Sequence, residues 1–383
     1  MKTLKDFNLK NKRILLRVDI NSDVKNKKII LSERIKEASL TIKYLKQKKA
    51  KVTIIAHQGN PGKDDFLSLE QHAKLLNKYV KIKFIKDILG KKAIQAITNL
   101  KSGQAILLDN IRFMDDEFHP EKSNNIITKT LFPLFDLYVN DAFSICHRNH
   151  TSIVSFPEHL PSCAGLLLEK EINALKKISI KNCLYILGGA KPEENIKLLK
   201  GNKVLACGLF GQLCLVAKGK NLGYQNEFLK KSTLIKENYN KFLIKLKSKL
   251  KNTETPVDFA VNFNNKRKEF QLEQFPLDYE IEDIGENTIK KYIQEIKKAK
   301  AIYMKGPAGF ASEKQYAKGT IAILKAAASC KGFTLVGGGH LTDAIEKYHI
   351  PRSKFSHISL SGGALLNYVA GEKLPGLQAL KYY

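Results

Sequence analysis

The feature that most constrains this chain is a repeated alternation of short apolar runs with helical patterns. Each run is rich in β-branched or apolar residues and ends in Gly, Asp or Asn. The runs lie at 13–21, 51–59, 104–110, 136–143, 183–191, 203–208, 301–309 and 333–340. This alternation is typical of parallel sheets that carry helices on both faces. Because 383 residues exceed the size of one ordinary domain, we predict an α/β fold with two doubly wound parallel-sheet domains.

The candidate boundary between the domains is the stretch 155–165, which has two prolines and no periodicity. Directly after it, Leu167, Ile172, Leu175 and Ile178 recur close to every 3.6 residues. This spacing predicts a helix. We interpret that helix as a hinge element between the two domains.

The charge of the chain favours anionic ligands. The 65 Lys and Arg against 37 Asp and Glu give a net charge of +28. A basic balance can indicate a nucleic-acid partner, but here the lysines run through every segment instead of forming one arm or stripe. We therefore interpret them as a solvated, compositionally biased surface and expect no nucleic-acid partner.

Membrane and secreted classes are not favoured. The longest apolar runs, such as 105–108 and 164–168, are far shorter than the ~20 residues that a membrane-spanning helix needs. The N-terminal residues have no apolar segment typical of a secretory signal. The six cysteines are scattered without metal-ligand spacing, which is typical of reduced thiols in the cytoplasm. We expect a cytoplasmic location, no membrane partner and no metal held by the protein alone.

In the first half of the chain, the strand ends collect cationic and imidazole side chains. A guanidinium group binds a carboxylate or a phosphate through two parallel hydrogen bonds. Each arginine alone is more often a surface or ion-paired residue. Their shared position at the carboxyl ends of predicted strands, where ligands bind in such sheets, predicts a pocket for a small, multiply charged anion. The residues are Arg17, Asp19, Asn21, Arg34, His57, Arg112, His147, Arg148 and His150.

In the second half, the strand ends collect glycines instead. They lie at 188–191, at Gly208 with Gly211, at 306–309 and at 337–340. Glycine lets backbone N–H groups approach phosphate oxygens, and a following helix N-terminus adds positive charge. A single glycine here often only makes a tight turn, but four such turns in one domain favour a nucleotide. No segment matches the P-loop or GxGxxG patterns, so these two classes of site are not supported.

Ten blocks, in the same order and nearly from end to end, resemble phosphoglycerate kinase. AHQG and GGGH resemble the archaeal branch of that family. The resemblance implies two Rossmann-like domains that face a cleft and are joined by a hinge helix. The blocks are RVDIN (17–21), AHQGNPG (56–62), LLDNIRF (107–113), YVNDAFSICHRNHTS (138–152), AGLLLEKE (164–171), LGGAK (187–191), GPAG (306–309), YAKGT (316–320), GGGH (337–340) and the segment 355–380.

The resemblance also implies a function for each part of the chain. Residues 1–163 would bind 3-phosphoglycerate, 164–365 would bind ATP or ADP, and 366–383 would return to the N-terminal domain. The reaction would be reversible phosphoryl transfer between ATP and the carboxylate of 3-phosphoglycerate, giving 1,3-bisphosphoglycerate and ADP. Mg²⁺ would arrive with the nucleotide. The choice between ATP and GTP stays open. We expect a monomer, with a homodimer as the alternative.

Matched positions imply the site residues. Because the acceptor carboxylate is already ionised at neutral pH, no base is required, and catalysis depends on positioning and charge neutralisation. The substrate residues would be Asp19, Asn21, Arg34, His57, Asn60, Arg112 and Arg148. The nucleotide residues would be Ala190, Lys191, Gly208, Lys305, Pro307, Glu313, Gly337, Gly338, Gly339 and His340. The catalytic residues would be Arg34, Lys191, Gly338 and Gly339.

Three departures from the family pattern change fixed charges. Asn60 stands where the family usually has Arg, which removes a cation from the substrate patch. Asn195 stands where bacterial and eukaryotic members carry a second Lys, so Lys191 would carry more of the phosphate charge. Lys305 replaces the Asn before GP and would partly restore that cation.

Two further departures affect the nucleotide. The ribose-binding Glu aligns with Ser312, and Glu313 follows one position later. The Asp that usually contacts magnesium is His340, so the metal would depend on phosphates, water and Asp343. These differences leave one alternative open, a catalytically impaired binding protein of the same fold that binds nucleic acid through its charge. The retained Arg34 and Lys191 argue against it.

Overall fold

The computed structural model describes residues 1–177, 182–232 and 238–383. These residues divide into two compact units. The first unit consists of 1–173 together with 371–383, and the second consists of 174–370. Ile178, the last residue of the predicted helical pattern, lies outside the described residues.

A parallel sheet forms the centre of the first unit. Among the described residues, its strand order is β5-β6-β4-β1-β7-β8, and each neighbouring pair is parallel. A short antiparallel pair, β2 with β3, follows the first strand. The strands are β1 Arg13–Val18, β2 Val24–Lys25, β3 Lys28–Ile29, β4 Lys51–Ile55, β5 Lys83–Ile85, β6 Ala105–Leu108, β7 Leu137–Asp141 and β8 Ser162–Ala164.

The second unit has a parallel sheet and a separate antiparallel one. In its described part, the parallel order is β11-β10-β9-β15-β16-β17 and the antiparallel order is β13-β12-β14. The strands are β9 Leu184–Leu187, β10 Val204–Ala206, β11 Thr253–Glu254, β12 Asp258–Phe263, β13 Lys266–Gln271, β14 Ile281–Ile284, β15 Ala301–Lys305, β16 Phe333–Gly337 and β17 His357–Ser359.

Helices connect the parallel strands, as crossover connections between such strands require. In the described chain, α7 contains the boundary between the units, and α15 belongs to the first unit. The helices are α1 Glu33–Gln47, α2 Glu70–Leu76, α3 Lys91–Thr98, α4 Ile126–Leu131, α5 Thr151–Val154, α6 Phe156–His159, α7 Leu166–Lys176, α8 Gly208–Ala217, α9 Tyr224–Ser232, α10 Tyr239–Lys247, α11 Glu286–Lys298, α12 Lys318–Ala328, α13 Gly339–Lys347, α14 Gly363–Val369 and α15 Pro375–Ala379.

Strand β1 shows why the first sheet needs helices on both faces. Successive side chains of a strand point to opposite faces. Ile14, Leu16 and Val18 pack in one apolar cluster, whereas Leu15 packs in another. Because both faces of this strand are apolar and buried, each must be covered, and the polar residues are left to the strand ends.

The predicted pair of parallel-sheet α/β domains is confirmed, and all eight predicted runs contain a strand of the parallel sheets. The sequence did not predict the antiparallel sheet or the short strands β5, β8, β11 and β17. The stretch 155–165, interpreted as the candidate domain boundary because it has no periodicity, contains α6 and β8. Short strands escape detection because two or three residues give too little alternation to recognise. No described helix is long and apolar enough to span a membrane.

The C-terminal residues pack on the first unit through α15. The Gly376 amide donates to the Cys146 carbonyl at 2.9 Å. A Cβ at Gly376 would lie 2.8 Å from Ile153 Cγ2 and 3.0 Å from Cys146 Sγ, so only glycine allows this close approach. Leu377 is fully buried. This contact ties the C-terminal segment to the loop and helix that follow β7.

We predict that Leu377→Ala lowers the free energy of unfolding of the first unit by about 2–5 kcal/mol, because it leaves a cavity in a packed site. Hydrogen exchange of the β1 and β7 amides under native conditions measures this change. The neighbouring Gln378 is exposed, so Gln378→Ala should leave exchange nearly unchanged. Equal exchange in both variants would contradict the proposed role of this contact in the stability of the first unit.

Candidate active site

The polar residues of the first unit gather at the carboxyl ends of four parallel strands. Register places Arg17 of β1 beside Ile55 of β4 and Asn140 of β7. Ile54 of β4 pairs with Leu107 of β6. The segments that follow β1, β4, β6 and β7 therefore begin at one edge of the sheet. This edge carries the first candidate half-site.

Asp19 and Arg34 form a partly enclosed ion pair at this edge. Arg34 Nη1 lies 3.2 Å from Asp19 Oδ2, and the side chain of Asp19 is only 4% exposed. Ser144 Oγ also donates to Asp19 Oδ2, and the Asn21 amide donates to Oδ1 at 3.0 Å. Burial by itself would raise the pKa of Asp19, but the positive charge of Arg34 and these hydrogen bonds hold that pKa well below its usual value. Asp19 is therefore ionised and fixes Arg34 in place.

A chain of hydrogen bonds continues from this ion pair to Arg112. Arg34 Nη1 donates to the Asn21 carbonyl at 3.2 Å. The Gly59 amide donates to Asn21 Oδ1 at 2.8 Å. Arg112 Nη1 donates to the Gly59 carbonyl at 2.6 Å and to Asn60 Oδ1 at 2.9 Å. Residues that are far apart in the sequence are thus joined in one network.

Arg112 is buried, with two donors left unpaired. It lies in the turn after β6 and is 4% exposed. Within the described chain, its Nε and Nη2 atoms have no hydrogen-bond partner. Burial and the charges of Arg17 and Arg148 lower the pKa of Arg112 to about 10, so it remains protonated at neutral pH. A buried cation with unpaired donors favours an anionic ligand.

His57 is held neutral next to a buried arginine. The Arg17 side chain is fully buried. Its Nη2 lies 3.2 Å from His57 Nδ1, and its Nε donates to Ser152 Oγ at 2.8 Å. Burial, and then the charge of Arg17, lowers the pKa of His57 well below its ordinary value. His57 can therefore hydrogen-bond a ligand without adding charge.

Arg148 and His150 follow β7. Arg148 is exposed, and it forms no ion pair with the described residues. His150 Nδ1 lies 3.7 Å from Glu117 Oε1, too far for a hydrogen bond. Burial and the charges of Arg112 and Arg148 lower the pKa of His150 to about 3. The positive charge at this end of β7 therefore belongs to the guanidinium groups and not to His150.

In the second unit, the glycine turns pack directly on one another. The Gly189 amide donates to the Pro307 carbonyl at 2.9 Å. A Cβ on Gly208 would lie 2.8 Å from the same carbonyl, and a Cβ on Gly306 would lie 2.5 Å from the Gly188 carbonyl carbon. These glycines are required by turn-to-turn contact. Phosphate approach is not needed to explain them.

The Gly337–Gly339 segment differs from those turns. Gly338 has φ of 105°, and a Cβ on Gly338 or Gly339 would meet nothing within 4 Å. The segment ends β16 and precedes α13. The backbone is open at Gly338 and Gly339, whereas a Cβ on Gly337 would lie 2.3 Å from Leu365 Cδ2. The open part lies at a helix N-terminus that favours anions. Of the predicted phosphate turns, this one has room for a ligand.

Lys305 brings a cation to the end of β15. Its side chain is 14% exposed, and Nζ lies 3.2 Å from Glu194 Oε2. Nζ also donates to Asn195 Oδ1 at 3.0 Å, and Asn195 Nδ2 donates to the Gly188 carbonyl. Burial lowers the pKa of Lys305, and Glu194 opposes that change. Lys191, by contrast, is 63% exposed, with Nζ 3.8 Å from Glu194 Oε1.

A cavity of about 500 Å³ lies next to these turns within the second unit. Four predicted nucleotide residues line it, namely Ala190, Gly208, Pro307 and His340. Lys191, Lys305, Glu313 and Gly337–Gly339 do not line it. Sequence reasoning missed other lining residues, because neither a motif nor a strand end marks them. They include Gln212, Phe228, Glu280, Glu282, Phe310 and Lys347.

Sequence reasoning also missed the supporting residues of the first unit. Glu117 Oε1 accepts from Ser152 Oγ at 2.6 Å, and Glu117 Oε2 accepts from the Ser152 amide. Burial raises the pKa of Glu117. Ser152 in turn accepts from Arg17. The RVDIN block contains Arg17, but no spacing in the sequence points to its partners.

A small-molecule phosphotransferase needs a site for the acceptor and a site for the nucleotide. The first unit has an anion site, and the second has a cavity beside glycine turns. A phosphoglycerate kinase family model matches residues 4–372. Phosphoglycerate kinase of Sulfolobus acidocaldarius is 38% identical over 400 residues, covering 99% of this chain and 95% of the relative. That of Methanothermus fervidus is 39% identical over 403 residues, covering 99% and 96%.

Solved structures agree with this match. The crystal structure of phosphoglycerate kinase from Pyrococcus horikoshii OT3 has a TM-score of 0.91 at 37% identity, covering 100% of this chain and 99% of that one. The Coxiella burnetii phosphoglycerate kinase structure has a TM-score of 0.81 at 29% identity, covering 99% and 98%. The chain therefore belongs to the phosphoglycerate kinase family, a family of phosphotransferases, and the predicted archaeal-type branch is confirmed.

Proposed function

We propose that this chain transfers a phosphoryl group reversibly between ATP and the carboxylate of 3-phosphoglycerate, giving ADP and 1,3-bisphosphoglycerate. The observation that carries the proposal is the hydrogen-bond network from Asp19 to Arg112. It fixes two guanidinium groups at one sheet edge, and the buried Arg112 keeps two unpaired donors. An acceptor with a phosphate and a carboxylate supplies the two anionic groups that such an edge binds.

The acceptor belongs to the first unit in this proposal. Arg112 and Arg148 bind the phosphate of 3-phosphoglycerate, and Arg34 faces the group that is transferred. His57, neutral at the working pH, donates or accepts a hydrogen bond without attracting a second anion. Asn21 and Asn60 position the backbone and the guanidinium groups. Asp19, which is ionised, holds Arg34 in the required orientation.

The nucleotide belongs to the second unit. Ala190, Gly208 and Pro307 form one wall of the cavity, which accepts the base and ribose. Glu313 is assigned to the ribose. The phosphates extend toward Lys191 and Lys305 and toward the Gly337–Gly339 segment, where Gly338 and Gly339 are open and the backbone N–H groups and helix N-terminus stabilise negative charge.

The described residues contain no group of three His, Cys, Asp or Glu side chains placed to hold a metal ion. Mg²⁺ in kinase sites is bound mainly by phosphates and water with one or two carboxylates. Asp343 and His340 both line the cavity, and Asp343 fits the carboxylate role. When bound with the nucleotide, Mg²⁺ neutralises phosphate charge. We therefore assign it to the nucleotide, with Asp343 as the protein ligand.

The residues of the chain position groups and neutralise charge in this reaction. The acceptor carboxylate is ionised at neutral pH, so no proton has to be removed. Arg34, Lys191 and the amides of Gly338 and Gly339 stabilise the charge that spreads over the transferring oxygens.

The assignment of 1–163 to the acceptor, 164–365 to the nucleotide and 366–383 to the returning segment is part of this proposal. So are the hinge at 155–171, cleft closure with both substrates, the cytoplasmic location and the monomeric state.

A coupled assay that follows ATP use in the presence of 3-phosphoglycerate tests the proposal. The alternative, an impaired binding protein for nucleic acid, is not favoured by the family match. A salt-dependent DNA-binding titration distinguishes the two, because nucleic-acid binding through lysines weakens steeply with salt. Turnover that requires 3-phosphoglycerate supports the proposal. DNA binding without any turnover would overturn it.

We predict that Arg34→Ala abolishes phosphoryl transfer while the fold and nucleotide binding remain. A charge that acts at the transition state contributes there and little elsewhere. Arg13, paired with Asp136 at the start of β1, gives a matched control, and Arg13→Ala should keep turnover close to wild type. If Arg34→Ala kept more than about a tenth of the wild-type rate, a loss of ~1.4 kcal/mol or less, Arg34 would have no catalytic role.

We also predict that Lys191→Ala depresses turnover more than Lys305→Ala. Lys191 is exposed, and its Nζ lies 3.8 Å from Glu194 Oε1, which is too far for a hydrogen bond. A phosphate can therefore bind Lys191 without breaking a strong contact. Lys305 is already engaged by Glu194 and Asn195. Steady-state rates of both variants, beside the exposed Lys298→Ala as a control, measure the difference. Equal losses of turnover, or the reverse order, would contradict the placement of the nucleotide phosphates beside Lys191.

A further inference from the structure

One wall of the cavity in the second unit is acidic. Glu280, the residue before β14, and Glu282 on β14 both line it, and Glu313 is close enough to act on Glu282 electrostatically. Lys347 also lines the cavity, but its Nζ donates to the Ser312 carbonyl at 2.5 Å. Carboxylates repel a polyphosphate. If the cavity binds a nucleotide, this wall must face its base or ribose and not its phosphates.

The cavity also has an apolar lining that suits a flat ring. Phe228, Phe310 and Ile281 line it and offer apolar surface to a base. Gln212 cannot read the edge of a base there. Its Oε1 accepts from Gln225 at 2.7 Å, and its Nε2 is directed to the Ile281 carbonyl at 3.5 Å. The polar groups of this wall that remain available are the carboxylates.

Glu282 is held in position by its backbone while its side chain stays available. Its carbonyl accepts from the Phe310 amide at 2.7 Å. Within the described residues, its carboxylate takes part in no hydrogen bond or ion pair. The side chain is half-buried. A ligand that fills the cavity therefore finds a carboxylate with free hydrogen-bonding capacity on a strand that is paired in the antiparallel sheet.

The surroundings of Glu282 place its titration in the physiological range. Burial, and then the negative charges of Glu280, Glu313 and Asp283, raise the pKa of Glu282 to about 7. Asp283 is ion-paired with Arg267 at 2.8 Å, which limits its effect. The other titratable groups near this wall are Tyr316 and the α13 residues His340, Asp343 and Lys347.

The two states of a carboxyl group match different bases. An ionised carboxylate only accepts hydrogen bonds, whereas a protonated one donates one and accepts others. Guanine presents two donors side by side, N1–H and the 2-amino group, which fit the carboxylate. Adenine presents the acceptor N1 beside its 6-amino donor, which fits the protonated acid. Opposite an ionised carboxylate, the acceptor N1 of adenine would face another hydrogen-bond acceptor and form no hydrogen bond.

We propose that Glu282 selects the base of the nucleotide, so that its ionised form favours guanine nucleotides and its protonated form favours adenine nucleotides. This inference rests on the proposed function only in taking the cavity as the nucleotide site. It makes Glu282 a specificity residue, and it makes the choice between the two bases depend on pH.

Calorimetric titration of the full chain with MgADP and MgGDP tests this inference. The ratio of the dissociation constants, ADP over GDP, should rise by about tenfold between about pH 6 and about pH 8. The reason is that deprotonated Glu282 loses its hydrogen bonds to adenine and gains those to guanine. Ionisation of the phosphates is common to both nucleotides and cancels in the ratio. A ratio that stays constant over this range would overturn the inference without any variant.

Glu282→Gln provides the direct substitution. A glutamine amide carries one acceptor and one donor, as the protonated acid does. The variant should bind MgADP in preference to MgGDP at every pH, with a flat ratio. Glu280→Gln removes the same charge from the same wall. It should keep the pH-dependent ratio but shift its midpoint to lower pH, because a like charge near Glu282 is gone.

The outcomes separate this inference from the proposed function. A ratio in Glu282→Gln that is within about twofold of wild type at both pH values, well below the expected discrimination, would overturn the inference. So would binding of neither nucleotide. Phosphoryl transfer to 3-phosphoglycerate with no base preference would overturn the inference alone. A pH-dependent preference in a chain without turnover would support the inference and overturn the proposed function.

Discussion

The first half-site depends on the cost of placing charged groups at the end of a buried sheet. Asp19, Arg17 and Arg112 are each at most 4% exposed, and an isolated charge in such a place is strongly disfavoured. Two of them are stabilised by a charged partner. Asp19 is matched by Arg34, and Arg17 acts electrostatically with Glu117. Arg112 is the least satisfied of the three, since two of its donors are unpaired in the described chain, and that deficit is what an anionic ligand would relieve.

The second unit solves a different physical problem. Its strand ends approach so closely that backbone contacts backbone, and Gly188, Gly208 and Gly306 are required because a Cβ would collide with the adjacent turn. These packed turns lie beside a cavity that has one acidic wall. Cations lie at the strand ends, with Lys305 nearly buried beside Asn195. The polarity of the unit thus runs from cationic strand ends to an acidic wall, which sets the direction in which a nucleotide can lie.

The sequence predicted those parts of the molecule that local pattern determines. Buried parallel strands such as β1 and β15 are continuous apolar runs, and the motif residues Asp19 and Arg112 come directly after such runs. The partnership of Arg17 with Ser152 was out of reach, because 135 positions separate the two residues and no local pattern encodes the contact. Glu282 was missed for a related reason. It lies within an antiparallel strand that carries no motif, and only folding brings that strand to the cavity.

The central claim is that the acceptor binds to the guanidinium groups of the first unit and the nucleotide to the second unit. Titration calorimetry with 3-phosphoglycerate and with MgADP tests it on wild type, Arg112→Met and Lys305→Met, since methionine keeps an apolar stem without the charge. Arg112→Met should weaken 3-phosphoglycerate binding by about tenfold or more, as expected for a lost charge-assisted hydrogen bond, and leave MgADP binding unchanged. Lys305→Met should weaken only MgADP binding. Loss of both ligands in one variant, or unchanged acceptor binding in Arg112→Met, would contradict the account.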